Sequence, residues 1–144
     1  MIGIASDHGG YLLKEKIKEE LKEFSFKDFG TDSTDSVDYP LYAFKLGEAV
    51  ANNEVKLGIV ICTTGIGISI ACNKVKGVRC AKVANIDEAK MSRLHNDANV
   101  IALNSKVDHP IEIVRMFLTT EFLNEERHIR RINEIKEYED KWLK

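Results

Sequence analysis

The run Leu57-Gly58-Ile59-Val60-Ile61-Cys62-Thr63-Thr64-Gly65-Ile66-Gly67-Ile68-Ser69-Ile70-Ala71-Cys72-Asn73-Lys74 changes character twice in a short space. Its first part is continuously apolar and rich in β-branched residues, the pattern of a strand buried on both faces. Its last part reads as helix. Between them lie one thiol, two hydroxyls and two glycines. A buried strand that passes through a glycine-bearing turn into a helix is half of a βαβ unit, and that predicts a parallel sheet with helices on its faces.

The same alternation extends in both directions. Upstream, Ile2–Ser6 reads as strand and Gly9–Phe24 as helix, with Leu13, Ile17 and Leu21 at i, i+4 and i+8. Phe26–Phe29 reads as a short edge strand stopped at Gly30, followed by a polar loop from Thr31 to Asp38. Asp38-Tyr39-Pro40 is a helix start with proline in the first turn, and that helix ends near Asn52-Asn53. Downstream, the pattern predicts a helix over 66–74, a strand over 78–84 and a helix over 86–95. A strand over 99–103, a helix over 109–122 and a last helix over about 125–143 follow. The expected fold is α/β: a doubly wound, five-stranded parallel sheet in a flavodoxin- or Rossmann-like three-layer sandwich, with an extra C-terminal helix. The chain, 1–144, is read as one domain. The extra helix has no following strand to cover, so it is expected to pack outside the sheet or on a second subunit.

Composition narrows the partners. With 21 basic and 23 acidic residues the formal charge is −2, which argues against nucleic acid or an anionic membrane as main partner. No apolar run approaches the ~20 residues of a membrane span. The N-terminus runs directly into a strand without a signal-like basic region, so a cytoplasmic location is expected. Cys62, Cys72 and Cys80 form no CxxC pair, and His8, His95, His109 and His128 show no metal-ligand spacing. Neither a disulfide framework nor a metal site is expected.

Ligands of open α/β sheets bind beyond the carboxyl ends of the strands. There the sequence places Asp7-His8-Gly9-Gly10, then Cys62 to Gly67, then Asn104-Ser105-Lys106; a fourth polar cluster, His95-Asn96-Asp97, ends a helix. Gly65 and Gly67 permit close backbone approach and positive φ, and the following helix aims N–H groups at the loop, which suits an anion or a developing oxyanion. The loop matches neither the P-loop nor the GxGxxG pattern, and a plain tight turn fits it equally. Cys62 reads either as a small core residue or, beside a helix N-terminus, as a thiol whose thiolate is favoured. Asp7 reads as a helix cap or as an acid/base group. His95 reads as an answer to the helix dipole or as chemistry.

The last helix carries an anomaly. Arg127, His128 and Arg131 share a face, and that side continues through Ile135, Tyr138 and Trp142. Arginines on a side meant for burial call for an anion such as phosphate, or for a salt bridge to Glu125 or Glu126.

Taken together, these clusters resemble type B ribose-5-phosphate isomerases, within a wider family that includes bacterial galactose-6-phosphate isomerase subunits. The likeness spans nearly the whole chain, with "TGIGISIACNK" close to the family's signature. The resemblance implies a cofactor-free aldose–ketose isomerase acting on a pentose 5-phosphate through a cis-enediol. It implies Cys62 as general base, His95 as the acid/base that opens the furanose ring with help from Thr64, and Asp7 for hydroxyl protons. Backbone amides of Thr63, Thr64, Gly65, Ile66 and Gly67 would hold the enediolate, Asn96 a sugar hydroxyl, and His8, Arg127 and Arg131 the phosphate. It also implies a homodimer or homotetramer with active sites shared between subunits.

Three positions depart from the family pattern. Thr63 replaces a usual glycine, and Lys106 stands where an arginine often meets the phosphate. Ile68 occupies the place of the glutamate that another branch uses as base, which leaves Cys62 as the base of this loop. Two other substrates or roles fit the same residues: a six-carbon sugar phosphate such as allose or galactose 6-phosphate, and sugar-phosphate binding without catalysis. A receiver-type signalling domain would share the size and sheet order, but Cys62 occupies its phosphorylated aspartate's place.

Overall fold

Alternate residues of each inner strand face opposite layers, and this alternation builds two cores. A computed structural model describes residues 1–143. Its strands are β1 (Ile2–Ser6), β2 (Phe26–Asp28), β3 (Leu57–Cys62), β4 (Cys80–Lys82) and β5 (Val100–Asn104), all parallel. The helices are α1 (Tyr11–Glu20), α2 (Tyr39–Ala51), α3 (Ile66–Cys72), α4 (Ile86–Leu94), α5 (Pro110–Thr119) and α6 (Glu126–Trp142). Ile4, Ile59, Ile61, Ile101 and Leu103 pack with α1, α4 and α5, whereas Ala5, Val60, Cys62, Val100 and Ala102 pack with α2 and α3. The expected three-layer doubly wound sandwich is what forms.

The sheet order is β2-β1-β3-β5-β4. Relative to the flavodoxin order, 2-1-3-4-5, the last two strands are exchanged. The exchange has a consequence for the site: β3 is flanked by β1 and β5, so the polar residues that follow these two strands both arrive beside Cys62. It also removes the sheet order on which a receiver-domain reading relied.

Element boundaries differ from the sequence expectation where a side chain intervenes. The first helix does not begin as one piece at Gly9. Asp7 accepts from the Gly10 N–H at 3.1 Å and closes a 3₁₀ turn over His8–Gly10 before α1 begins at Tyr11. That helix also stops four residues short of Phe24, at Glu20. Strand β4 is three residues rather than seven, because it lies at the sheet edge and Asn73 occupies its outer rim. The Asn73 amide accepts from Cys80 N–H at 2.8 Å and donates to Cys80 O at 2.9 Å. Helix α5 ends at Thr119, three residues before the expected end, where Thr120 becomes extended. Among the described residues no helix is long and apolar enough to cross a membrane.

Candidate active site

The loop after β3 is shaped by Gly65. Its φ is +77°, and a Cβ there would lie 2.8 Å from the Leu103 carbonyl carbon, so the position needs glycine for conformation and for space. Gly67 differs from expectation: it is an ordinary helical residue, and its missing side chain makes room for the Tyr39 ring, 2.7 Å from where a Cβ would sit.

Gly65 turns its N–H onto Cys62 Sγ at 3.1 Å. The thiol is buried at the rim of the α2–α3 core. Ile66 N–H is taken by Thr64 Oγ1, also at 3.1 Å. Of the five amides expected to meet an oxyanion, those of Thr63, Thr64 and Gly67 have no acceptor among the described residues. The amides of Gly65 and Ile66 are instead spent locally, one of them on the sulfur itself.

Around this loop gather the other strand ends. Asp7 is buried, and its own N–H bonds Ile61 O. His8 Nδ1 accepts from Val37 N–H at 3.1 Å. That bond uses Nδ1 and leaves Nε2 as the ring's other polar atom. On the other flank Asn104 is in register with Cys62, Ser105 N–H donates to Cys62 O at 3.0 Å, and Lys106 N–H is held by Asn104 Oδ1 at 2.7 Å. Lys106 leaves its ammonium exposed.

The remaining candidates lie at the opposite end of the sheet. Arg79, just before β4, binds Asn96 O and Asp97 O, so the His95-Asn96-Asp97 turn sits at the amino edge of the strands. From there to the Cys62 level, β5 runs from Val100 to Asn104, about 13 Å of strand. His95 stacks on His128, with centroids 4.5 Å apart. On α6 the stripe buried against its own chain is His128 and Ile132. Arg127 pairs with Glu125 at 3.2 Å, Arg131 is exposed, and Ile135, Tyr138 and Trp142 also face solvent. Thus one chain brings Asp7, His8, Cys62, Thr63, Thr64, Gly65, Ile66, Gly67 and Lys106 together. It holds His95, Asn96, Arg127 and Arg131 in a second group elsewhere.

The other thiols behave as core. Cys72 is fully buried, and the Cys72 thiol together with burial pushes the Cys80 thiol well above the ordinary cysteine range. Among the described residues no three His, Cys, Asp or Glu converge to hold a metal. Sequence reasoning missed two features. Arg79 and Arg93 both grip Asp97, whose left-handed φ of +45° suits the aspartates and asparagines favoured there. The Val37 contact to His8 is made by backbone and leaves no side-chain signal.

The family model described as Ribose/Galactose Isomerase matches residues 2–135. The solved structure of Clostridium thermocellum ribose-5-phosphate isomerase B superposes with a TM-score of 0.94 at 49% identity, covering 98% of each chain. That of Mycoplasma genitalium ribose-5-phosphate isomerase B with bound ribulose-5-phosphate gives 0.90 at 44% identity, covering 96% of this chain and 95% of the other. Escherichia coli ribose-5-phosphate isomerase B is 45% identical over 108 residues, which span 74% of this chain and 72% of that protein. A match of this extent makes this chain a member of the ribose/galactose isomerase family.

Proposed function

We propose that the protein interconverts ribose 5-phosphate and ribulose 5-phosphate, with Cys62 as the base that moves a proton between C2 and C1. The observation that carries this reading is the Gly65 N–H to Cys62 Sγ bond, which points a backbone donor at the one thiol beside three free amides. That N–H fixes the sulfur at the end of β3, where the loop amides surround it. In the ring-opened aldose it removes the C2 proton, and the electron pair passes to O1. The free amides of Thr63, Thr64 and Gly67 lie where that charge can be received. Asp7 then takes the O2 proton as the C2 carbonyl forms and delivers it to O1, and the Cys62 thiol returns its proton to C1, so both groups end as they began. A base of this kind contributes roughly 10²–10⁴ in rate, so the loop amides and substrate positioning supply the remainder.

The separation of the two residue groups supports a site built from two copies of the chain. Exposed apolar side chains on α2 and α3, among them Leu41, Phe44, Ile66 and Ile70, flank the Cys62 loop, and Ile135, Tyr138 and Trp142 are exposed on α6. In a twofold dimer each patch can cover the other. That pairing carries His95 and Asn96 of one subunit to the Cys62 loop of its partner, to open the sugar ring and hold a hydroxyl. Arg127 and Arg131 travel with them to join His8 and Lys106 at the phosphate.

The test is an assay of purified wild type and Cys62→Ala with ribose, allose and galactose phosphates. Wild type should turn over ribose 5-phosphate best. Cys62→Ala should bind it with similar affinity and lose turnover by at least about 10²-fold. Undiminished turnover in Cys62→Ala would overturn the reading, and a preference for a hexose phosphate would reassign the substrate.

A further inference from the structure

Three consecutive carbonyls follow His95, and each accepts from an arginine. Arg79 Nε reaches Asn96 O at 3.3 Å, Arg79 Nη2 reaches Asp97 O at 2.7 Å, and Arg93 Nη1 reaches Ala98 O at 2.7 Å. The Asp97 carboxylate joins the two guanidiniums: Oδ1 accepts from Arg93 at 2.9 Å and Oδ2 from Arg79 at 3.4 Å. Arg93 is buried, donates through Nε to Thr120 O at 3.1 Å and lies over the Phe117 ring. The next residue continues the pattern, since the Asn99 amide accepts from Arg79 N–H and donates to Gly77 O.

A helix end needs nothing so elaborate. A glycine or water ordinarily satisfies its last carbonyls. Here two planar cations, one of them desolvated, are committed to a turn of three residues, and a single carboxylate at positive φ bridges them. What the turn carries explains the investment. His95 stands at its start, and on the isomerase reading this ring must meet the sugar in a close, fixed geometry. A misplacement of about 1 Å lowers rates by about 10²-fold.

We propose that Arg79 and Arg93, bridged by Asp97, are positioning residues that hold His95 in register for ring opening. The proposal rests on the isomerase reading above. It predicts a division of labour between the two ends of the molecule. Ribulose 5-phosphate, whose C5 oxygen carries the phosphate, cannot close a furanose ring. Exchange of its C1 hydrogen with solvent therefore requires the Cys62 loop and not the ring-opening group.

The experiment compares wild type with Arg79→Met, Arg79→Lys and Asp97→Asn in two assays. One measures net conversion of ribose 5-phosphate; the other follows deuterium incorporation from solvent into C1 of ribulose 5-phosphate by NMR. Arg79→Met and Asp97→Asn should lose about 10–10²-fold in conversion while exchange stays within about threefold of wild type. Arg79→Lys, which restores one donor, should fall between. Asp97→Asn keeps the residue's size and its tolerance of positive φ, so it guards against a folding defect in the arginine variant. Parallel loss of both reactions, or loss of neither, would overturn the proposal while leaving the isomerase reading intact. A wild-type protein that neither converts nor exchanges would overturn both.

Discussion

His95 and His128 lie ring on ring, with planes within 17° of each other. His128 Nε2 is buried without a hydrogen-bond partner among the described residues. Burial, with the His95 ring and Arg127 beside it, pushes His128 below its ordinary 6.5, against a smaller opposing pull from Glu125. The sign follows directly: the unfolded chain binds this proton more readily than the folded one. Stability from the neutral ring is complete above pH ~6.5 and declines as pH falls from there toward the depressed native value. Thermal unfolding followed from pH 7.5 to 5 should show this decline, and His128→Phe, which keeps an aromatic face for His95, should flatten it. An unchanged slope in that variant would remove His128 as the cause.

The two loop glycines should respond differently to alanine. At Gly65 the added Cβ meets backbone, and φ is positive, so the strain cannot relax; a loss of at least about 1–2 kcal/mol is expected in urea titrations. At Gly67 the atoms nearest the Cβ all belong to the Tyr39 side chain. Combining Gly67→Ala with Tyr39→Ala should therefore recover part of that cost, whereas no side-chain truncation should rescue Gly65→Ala.

Lys14 is fully buried on α1, with its ammonium on Asp28 and Glu15. Burial works against the charge on Asp28, but hydrogen bonds from Lys14 and Lys18 outweigh it and hold the carboxyl below the usual range. Asp28→Ala leaves the buried cation with Glu15 alone and should cost roughly 1–3 kcal/mol. Lys14→Met removes the charge with its stem kept, and should cost less. The order of the two midpoints in chemical denaturation checks the assignment, and the reverse order would refute it.

What could be read in advance divides along physical lines. Strands such as Leu57–Cys62 were legible to the residue because a strand covered on both faces must be continuously apolar, and helices such as α4 and α6 declare their ends by polarity. Strand order was not legible: β4 and β5 are both short and apolar, and nothing in either states which lies beside β3. Cys62, Asp7 and the glycine loop could be located because they follow strands, where chemistry collects in this architecture. That His95 and the α6 arginines lie at the far edge follows from the same rule, since a helix returning to a parallel sheet must end at the strands' beginnings. The grip of Arg79 on the turn was hidden, because surface arginines before a strand are commonplace and only the three carbonyls give this one meaning.

The sharing of the site has its own decisive measurement. Cys62→Ala and His95→Asn should each be nearly inactive alone, since each removes one proton-transfer group from every site. If His95 serves the Cys62 loop of its partner, a mixed dimer places both defects in one of its sites and neither in the other. Unfolding the two variants together at equal concentration and refolding them gives half mixed dimers, so activity should return to about a quarter of wild type. Within a single chain the two residues lie beyond opposite ends of β5, a strand about 13 Å long, which keeps them from meeting at one pentose carbon. No recovery on mixing, with mixed dimers verified by mass, would mean that each chain closes on its own site and that the two ends of the sheet work apart.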